Sequence, residues 1–167
     1  SDTVVSLFLQ FAEAGFTIDM ALRLMNAAMI FGAEAERFST LDACLVDEYT
    51  GIVDCYKVGA HVSFVRHKRR TEVIEADSLP MGASASLEAL PFRSYLEAGD
   101  YLVLVTDGVL EYLQVEDAVE MLRQLIEELA DTDAVTFARK IIERVLLFTG
   151  GTAADDMTVL VLKALER

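Results

Sequence analysis

The sequence predicts an α+β fold: antiparallel strands forming a β-sandwich, with helices on its outside. Three observations carry this. Residues 1–32 place apolar side chains at helical spacing, residues 38–112 alternate in the manner of strands between turn residues, and residues 113–167 return to helical spacing before one last apolar run. Helices, then strands, then helices is the order of a segregated fold, not of alternating βαβ units. At 167 residues and 53% hydrophobic composition, the chain is expected to form a single domain, 1–167, with a substantial core.

The elements follow in order. "SDTVVSLFLQFAEAG" has cap-type residues at Ser1 to Thr3, apolar Val4, Val5, Phe8, Phe11 and Ala12, and Gly15 as a stop. "FTIDMALRLMNAAMIFG" repeats the pattern: Thr17 caps, Ile18, Ala21, Leu22, Met25, Ala28 and Met29 make the stripe, and Gly32 ends it. The short link makes a helical hairpin. Strands follow. A turn centred on Tyr49-Thr50 sets Asp42 opposite Lys57, Cys44 opposite Cys55 and Val46 opposite Val53, and the opposite charges support that register. A second hairpin bends at "RHKRR", where Arg66, Lys68, Arg69 and Arg70 read as a solvated tip, with docking of an acidic or phosphorylated partner as the other reading. Pro80 and Gly82 mark a loop. Leu90–Leu96 reads as a strand, "EAGD" as a turn and "YLVLVTD" as a buried strand. Helices are expected at about Val115–Leu129 and Ala134–Phe148, stopped by Gly150 and Gly151, before "MTVLVLKAL" closes as a strand.

Bulk properties narrow the function. A net charge of −14 disfavours nucleic acid as a ligand, because its phosphates would be repelled. Mean hydropathy is +0.36, yet no apolar run approaches the ~18 residues a membrane helix needs, and no signal-peptide pattern opens the sequence. Cys44 and Cys55 form no C-x-x-C motif, so they read as reduced small core residues, with neither zinc nor a disulfide scaffold implied. These features suit a reducing cytoplasm, whether as a separate protein or as the cytoplasmic part of a longer membrane-attached one.

Two acidic sites share a pattern. Asp107 ends one buried strand in "VLVTDGV", and Asp155 and Asp156 begin another in "AADDMTVLVL". If those strands are antiparallel neighbours, their carboxylates converge at one rim, where a divalent cation would relieve the repulsion. An all-oxygen set favours Mg²⁺ or Mn²⁺ over zinc, and Gly108 offers a carbonyl with no side chain in the way. His61 and His67 read as turn and loop residues rather than general acids, since phosphoryl transfer needs no histidine. Met20, Met25 and Met29 read as core or interface filler.

The segments "LFLQFAEAGFTIDMALRLMN", "RFSTLDACLVDEYTG", "YKVGAHVSF", "SLPMG", "LEAGDYLVLVTDGVLE" and "ADDMTVLVL" run along nearly the whole chain. Their succession resembles the phosphatase domains of the stage II sporulation protein E family, bacterial metal-dependent serine/threonine phosphatases of the protein phosphatase 2C class. The resemblance implies a β-sandwich flanked by helices (α-β-β-α), with two Mn²⁺ or Mg²⁺ ions at one edge activating water against a phosphoserine or phosphothreonine. By position, Asp107 and Asp155 match the metal carboxylates and are the implied catalytic residues. Asp156 matches the residue beside the ligand and Thr106 a supporting position. The implied substrate is a phosphoserine protein of the anti-anti-sigma type, in sporulation control, and the implied partner is a second copy bound through the helical hairpin of residues 1–32. The family's bridging carboxylate sits in a D-G-x-G motif ahead of the first helix, and this sequence contains none. The expectation is therefore an N-terminally incomplete domain, with a catalytically incomplete dimerisation or docking module as the alternative function.

Overall fold

The computed structural model describes residues 2–31, 38–60, 62–68, 70–87, 91–113, 115–148 and 156–166. The described elements, in order, are α1 (Asp2–Glu13), α2 (Ile18–Phe31), β1 (Leu41–Val46), β2 (Ile52–Val58), β3 (Val62–Arg66), β4 (Thr71–Glu75), β5 (Phe92–Tyr95), β6 (Tyr101–Val105), α3 (Asp107–Leu113), α4 (Ala118–Glu128), α5 (Ala134–Phe148) and β7 (Val159–Lys163). The strands form a three-stranded sheet, β1-β2-β5, and a four-stranded sheet, β4-β3-β6-β7. Among the described residues no helix is long and apolar enough to cross a membrane.

The chain divides into two compact units. In the first, Gly15 adopts φ 83° and closes α1 as a Schellman motif. Phe16 N donates to Phe11 O and Gly15 N to Ala12 O, both at 3.1 Å. The Phe11 and Phe16 rings meet edge to face, 5.5 Å between centroids, which supplies the apolar contact this cap favours. Inward residues Leu22 and Met25 of α2 then pack with Val58, Met81 and Leu87, and Val4, Leu7, Phe8 and Phe11 of α1 cover that cluster. Asn26 is buried on the same helix because both its amide nitrogen and its amide oxygen are hydrogen-bonded. Its Nδ2 donates to Ser84 O at 2.9 Å and its Oδ1 accepts from Gly82 N at 2.7 Å, tying the Pro80–Gly82 loop to the helix. The opposite face leaves Val5, Leu9, Met20, Leu24 and Phe31 exposed.

The β1–β2 contacts follow the register expected from the turn. Lys57 Nζ meets Asp42 Oδ2 at 2.7 Å, and the Cys44 thiol donates to Cys55 Sγ at 2.7 Å. Lys57 is buried, and a buried ammonium needs such a partner to offset its lost hydration.

In the second unit all four strands of the larger sheet pair antiparallel. Alternate residues of β3 (Val62, Phe64), β6 (Tyr101, Val103, Val105) and β7 (Val159, Val161) join Leu122, Leu125 and Ile126 of α4 and Phe137, Ile141 and Val145 of α5 in one core. Period-two strands under period-3.6 helices are what the apolar spacing requires. On β7, at the sheet edge, Leu160 and Leu162 face the other way and are exposed.

Three details differ from the expected elements. Asp107, read as the end of a strand, instead opens the helix α3, which runs to Leu113 within and just past the region 38–112 expected as strands and buries Val109, Tyr112 and Leu113 at helical spacing. A stretch this short shows too little periodicity to separate helix from strand. Helix α4 begins at Ala118, not Val115, because the Asp117 carboxylate caps it by accepting from Glu120 N at 3.1 Å. And "RHKRR" is not simply a solvated tip. Arg66 is buried, its Nη1 on Asp131 Oδ1 at 2.6 Å and its Nη2 on Leu129 O at 2.8 Å, with its guanidinium 5.3 Å from the Tyr101 ring and 5.5 Å from that of Phe137.

Candidate functional site

The β6–β7 pairing is the antiparallel adjacency that the two acidic motifs require. Its ladder runs from Tyr101↔Lys163 to Val105↔Val159. The pairing then continues one step beyond the strands. Thr106 N donates to Thr158 O at 3.1 Å, and Thr158 N donates to Thr106 Oγ1 at 2.9 Å. Thr106 thus clamps the two strand ends by backbone and side chain together. The family resemblance implies a supporting position for Thr106, and its partner Thr158 stands in the same register as Val105 and Val159.

Past the clamp the two chains come closer still. Asp107 opens α3, where a carboxylate is favoured by the helix dipole, and its Oδ1 accepts from Gly108 N at 3.1 Å. Gly108 is buried against the backbone of Asp156. A Cβ placed on Gly108 would overlap the Asp156 carbonyl oxygen and lie 3.2 Å from its carbon. Only glycine permits this approach. It brings Asp107, Gly108 and Asp156 to one rim of the sheet, with Asp107 and Asp156 exposed there and Gly108 and Val109 buried beneath.

Asp155 lies outside the described residues, as does His61. His67 belongs elsewhere: its Nδ1 sits 2.8 Å from Asp100 Oδ2, at the end of β6 opposite Asp107. Among the described residues no three His, Cys, Asp or Glu side chains gather into a metal cage. What Asp107, Gly108 and Asp156 offer is oxygen alone, the donor chemistry of a hard divalent cation, around a backbone cradle that a Cβ would fill.

The family model of Stage II sporulation protein E (SpoIIE) matches residues 2–165. The chain is 30% identical over 164 residues to Stage II sporulation protein E of Priestia megaterium, covering 98% of this chain and 28% of that protein. It is 33% identical over 92 residues to the phosphoserine phosphatase RsbU of Bacillus subtilis, covering 54% of this chain and 28% of RsbU. It therefore spans little more than a quarter of either relative. Among solved structures, the PP2C phosphatase domain of Bacillus subtilis SpoIIE with a fragment of its regulatory domain superimposes with a TM-score of 0.87 at 26% identity, over 96% of this chain and 49% of that one. A second structure of that phosphatase domain, presoaked with Mn, matches with a TM-score of 0.75 at 24% identity, over 100% of this chain and 76% of that one. The chain belongs to the stage II sporulation protein E family and has its PP2C-like phosphatase fold.

Proposed function

We propose that this chain is the catalytic part of a divalent-metal-dependent protein phosphatase that removes phosphate from a phosphoserine protein of the anti-anti-sigma type. The observation that supports the reading is the close approach of Gly108 to the Asp156 carbonyl, beside Asp107. Asp107 and Asp155 would hold Mn²⁺ or Mg²⁺, with the Gly108 carbonyl as a further oxygen donor. When bound, the ions supply a lowered water pKa and a clamp on phosphoryl charge. Asp156 orients its neighbour by hydrogen bonding, and Thr106 fixes the spacing between the two motifs through its bonds to Thr158. The relatives support the chemistry: one is named a phosphoserine phosphatase, and the homologous domain has been studied with Mn.

The test is phosphate release from a phosphoserine protein in Mn²⁺, using the full natural chain that carries this sequence. Asp107→Asn and Asp155→Asn should each lower the rate about 100-fold or more. Asp156→Asn should lower it about 10–100-fold. If the unaltered protein is inert in Mn²⁺, the docking-module reading replaces this one. Full activity in both Asp107→Asn and Asp155→Asn would remove the site assignment instead.

A further inference from the structure

The only two cysteines of the sequence face each other across the β1–β2 hairpin, the Cys44 thiol donating to Cys55 Sγ at 2.7 Å. Their place in the ladder can be counted. Asp47 N donates to Ile52 O at 2.9 Å, so that pair is hydrogen-bonded. Pairs alternate along an antiparallel ladder, which puts Cys44 and Cys55 at a non-hydrogen-bonded position. There Cα atoms stand about 4.5 Å apart, inside the roughly 4.4–6.8 Å range a disulfide spans. Both thiols lie on the face that also carries Asp42 and Lys57, whose ion pair pins the same two strands two residues further from the turn. Cys55 is fully buried, whereas Cys44, on the edge strand β1, is half-buried and open to small molecules.

We infer that Cys44 and Cys55 form an oxidisable dithiol, reduced at rest and closed to an intramolecular disulfide by a two-electron oxidant of the peroxide class. Cys44 sulfur attacks one peroxide oxygen, the O–O bond breaks, and a sulfenic acid and one water result. Cys55 sulfur then attacks the Cys44 sulfur, the S–O bond breaks, and the departing hydroxide takes up the Cys55 proton as a second water. Two thiols lose two electrons in all and one peroxide gains them. The hydrogen bond to Cys55, followed by burial and the nearby Asp42 charge, raises the Cys44 pKa far above the usual thiol range, with Lys57 opposing. Because the thiolate is the nucleophile, closure is slow at neutral pH and answers sustained rather than passing oxidant. The product staples an edge strand to its neighbour.

Trypsin releases residues 38–57 as one peptide holding both cysteines, since no Lys or Arg lies between Arg37 and Lys57. After native protein is treated with excess hydrogen peroxide, that peptide should resist alkylation, weigh less by two hydrogens, and recover both free thiols with dithiothreitol. The midpoint of thermal unfolding should rise by several degrees on oxidation. Cys44→Ser should abolish both changes, and being half-buried it spares the core if Cys55→Ser fails to fold. The inference is overturned if both cysteines stay alkylatable while a control dithiol oxidises. It is also overturned if each sulfur goes separately to sulfinic acid, if the bond links two chains, or if it forms only after denaturation.

Discussion

Replacing Gly108 by alanine sets two effects of opposite sign against each other. In a helix, alanine is favoured over glycine by about 1 kcal/mol. Gly108 is not at positive φ, so the new residue meets no backbone strain. Against this stands the Asp156 backbone. The added Cβ would overlap the carbonyl oxygen and lie 3.2 Å from its carbon, so the two segments must part by roughly half an ångström. The obstruction is main chain, held by the two Thr106–Thr158 hydrogen bonds, and cannot swing aside as a flexible side chain would. Overpacking of this kind costs about 1–3 kcal/mol. The net expectation is a loss of about 0–2 kcal/mol in stability, together with a Mn²⁺ affinity weakened about 10-fold or more because the motifs move apart. Urea unfolding gives the first quantity, and calorimetric titration of the folded variant with Mn²⁺ gives the second. A Gly108→Ala protein more stable than its parent, with the same Mn²⁺ affinity, would show that the close approach does not set the spacing of the rim.

Further expectations concern parts of the molecule away from the rim. Arg66→Ala should cost about 2–4 kcal/mol, since it removes a charged hydrogen bond to Leu129 O and the contacts with Tyr101 and Phe137. Asp131→Ala should cost half that or less, because Asp131 is largely exposed, and equal losses in chemical denaturation would refute the asymmetry. In acid, Glu120 is held down to about 2 by its hydrogen bonds from Arg123 and then Gln124, and Asp133 to about 2 by the Thr136 amide. Both folded values lie below the ordinary 4.5 and 3.8, so their contribution is present above those values and fades as pH falls toward about 2. Urea midpoints measured across that window should decline, and Asp133→Ala should flatten part of the slope. If the exposed face of Val5, Leu9, Met20, Leu24 and Phe31 joins two copies, Leu24→Glu should weaken the dimer about 10–100-fold in sedimentation without unfolding it. A parent protein monomeric at high concentration would refute that use of the face.

How far the sequence could be read depended on whether the cause was local. The β1–β2 register was legible because a turn and an opposite-charge pair specify it, and Asp42 meets Lys57 as expected. The helical hairpin was legible because Gly15 and the apolar stripe both mark it. Arg66 was less so. Nothing within "RHKRR" shows that its first residue will reach Asp131 and the Leu129 carbonyl, some sixty residues on, while Lys68 and Arg70 stay exposed. Asn26 sits within an apolar helical pattern, and its role lies in a loop more than fifty residues away. At the rim, the two acidic motifs stood out by composition, while the adjacency of their strands was a condition that the β6–β7 pairing meets. The threonine clamp did not stand out, because a threonine beside a strand is ordinary and its meaning lies in its cross-strand partner.

That clamp also bears on the order in which the molecule assembles. Asp107 and Asp156 are separated in the sequence by α3, α4 and α5, so the rim closes through one of the longer loops in the second unit. The entropy of closing such a loop is lost before its contacts form. Helices α4 and α5 can develop on short-range contacts, while the pairing of β7 with β6 requires that long loop to close. In a refolding experiment, then, helical signal should recover ahead of any cation-binding signal, and the lag between them would time the arrival of β7.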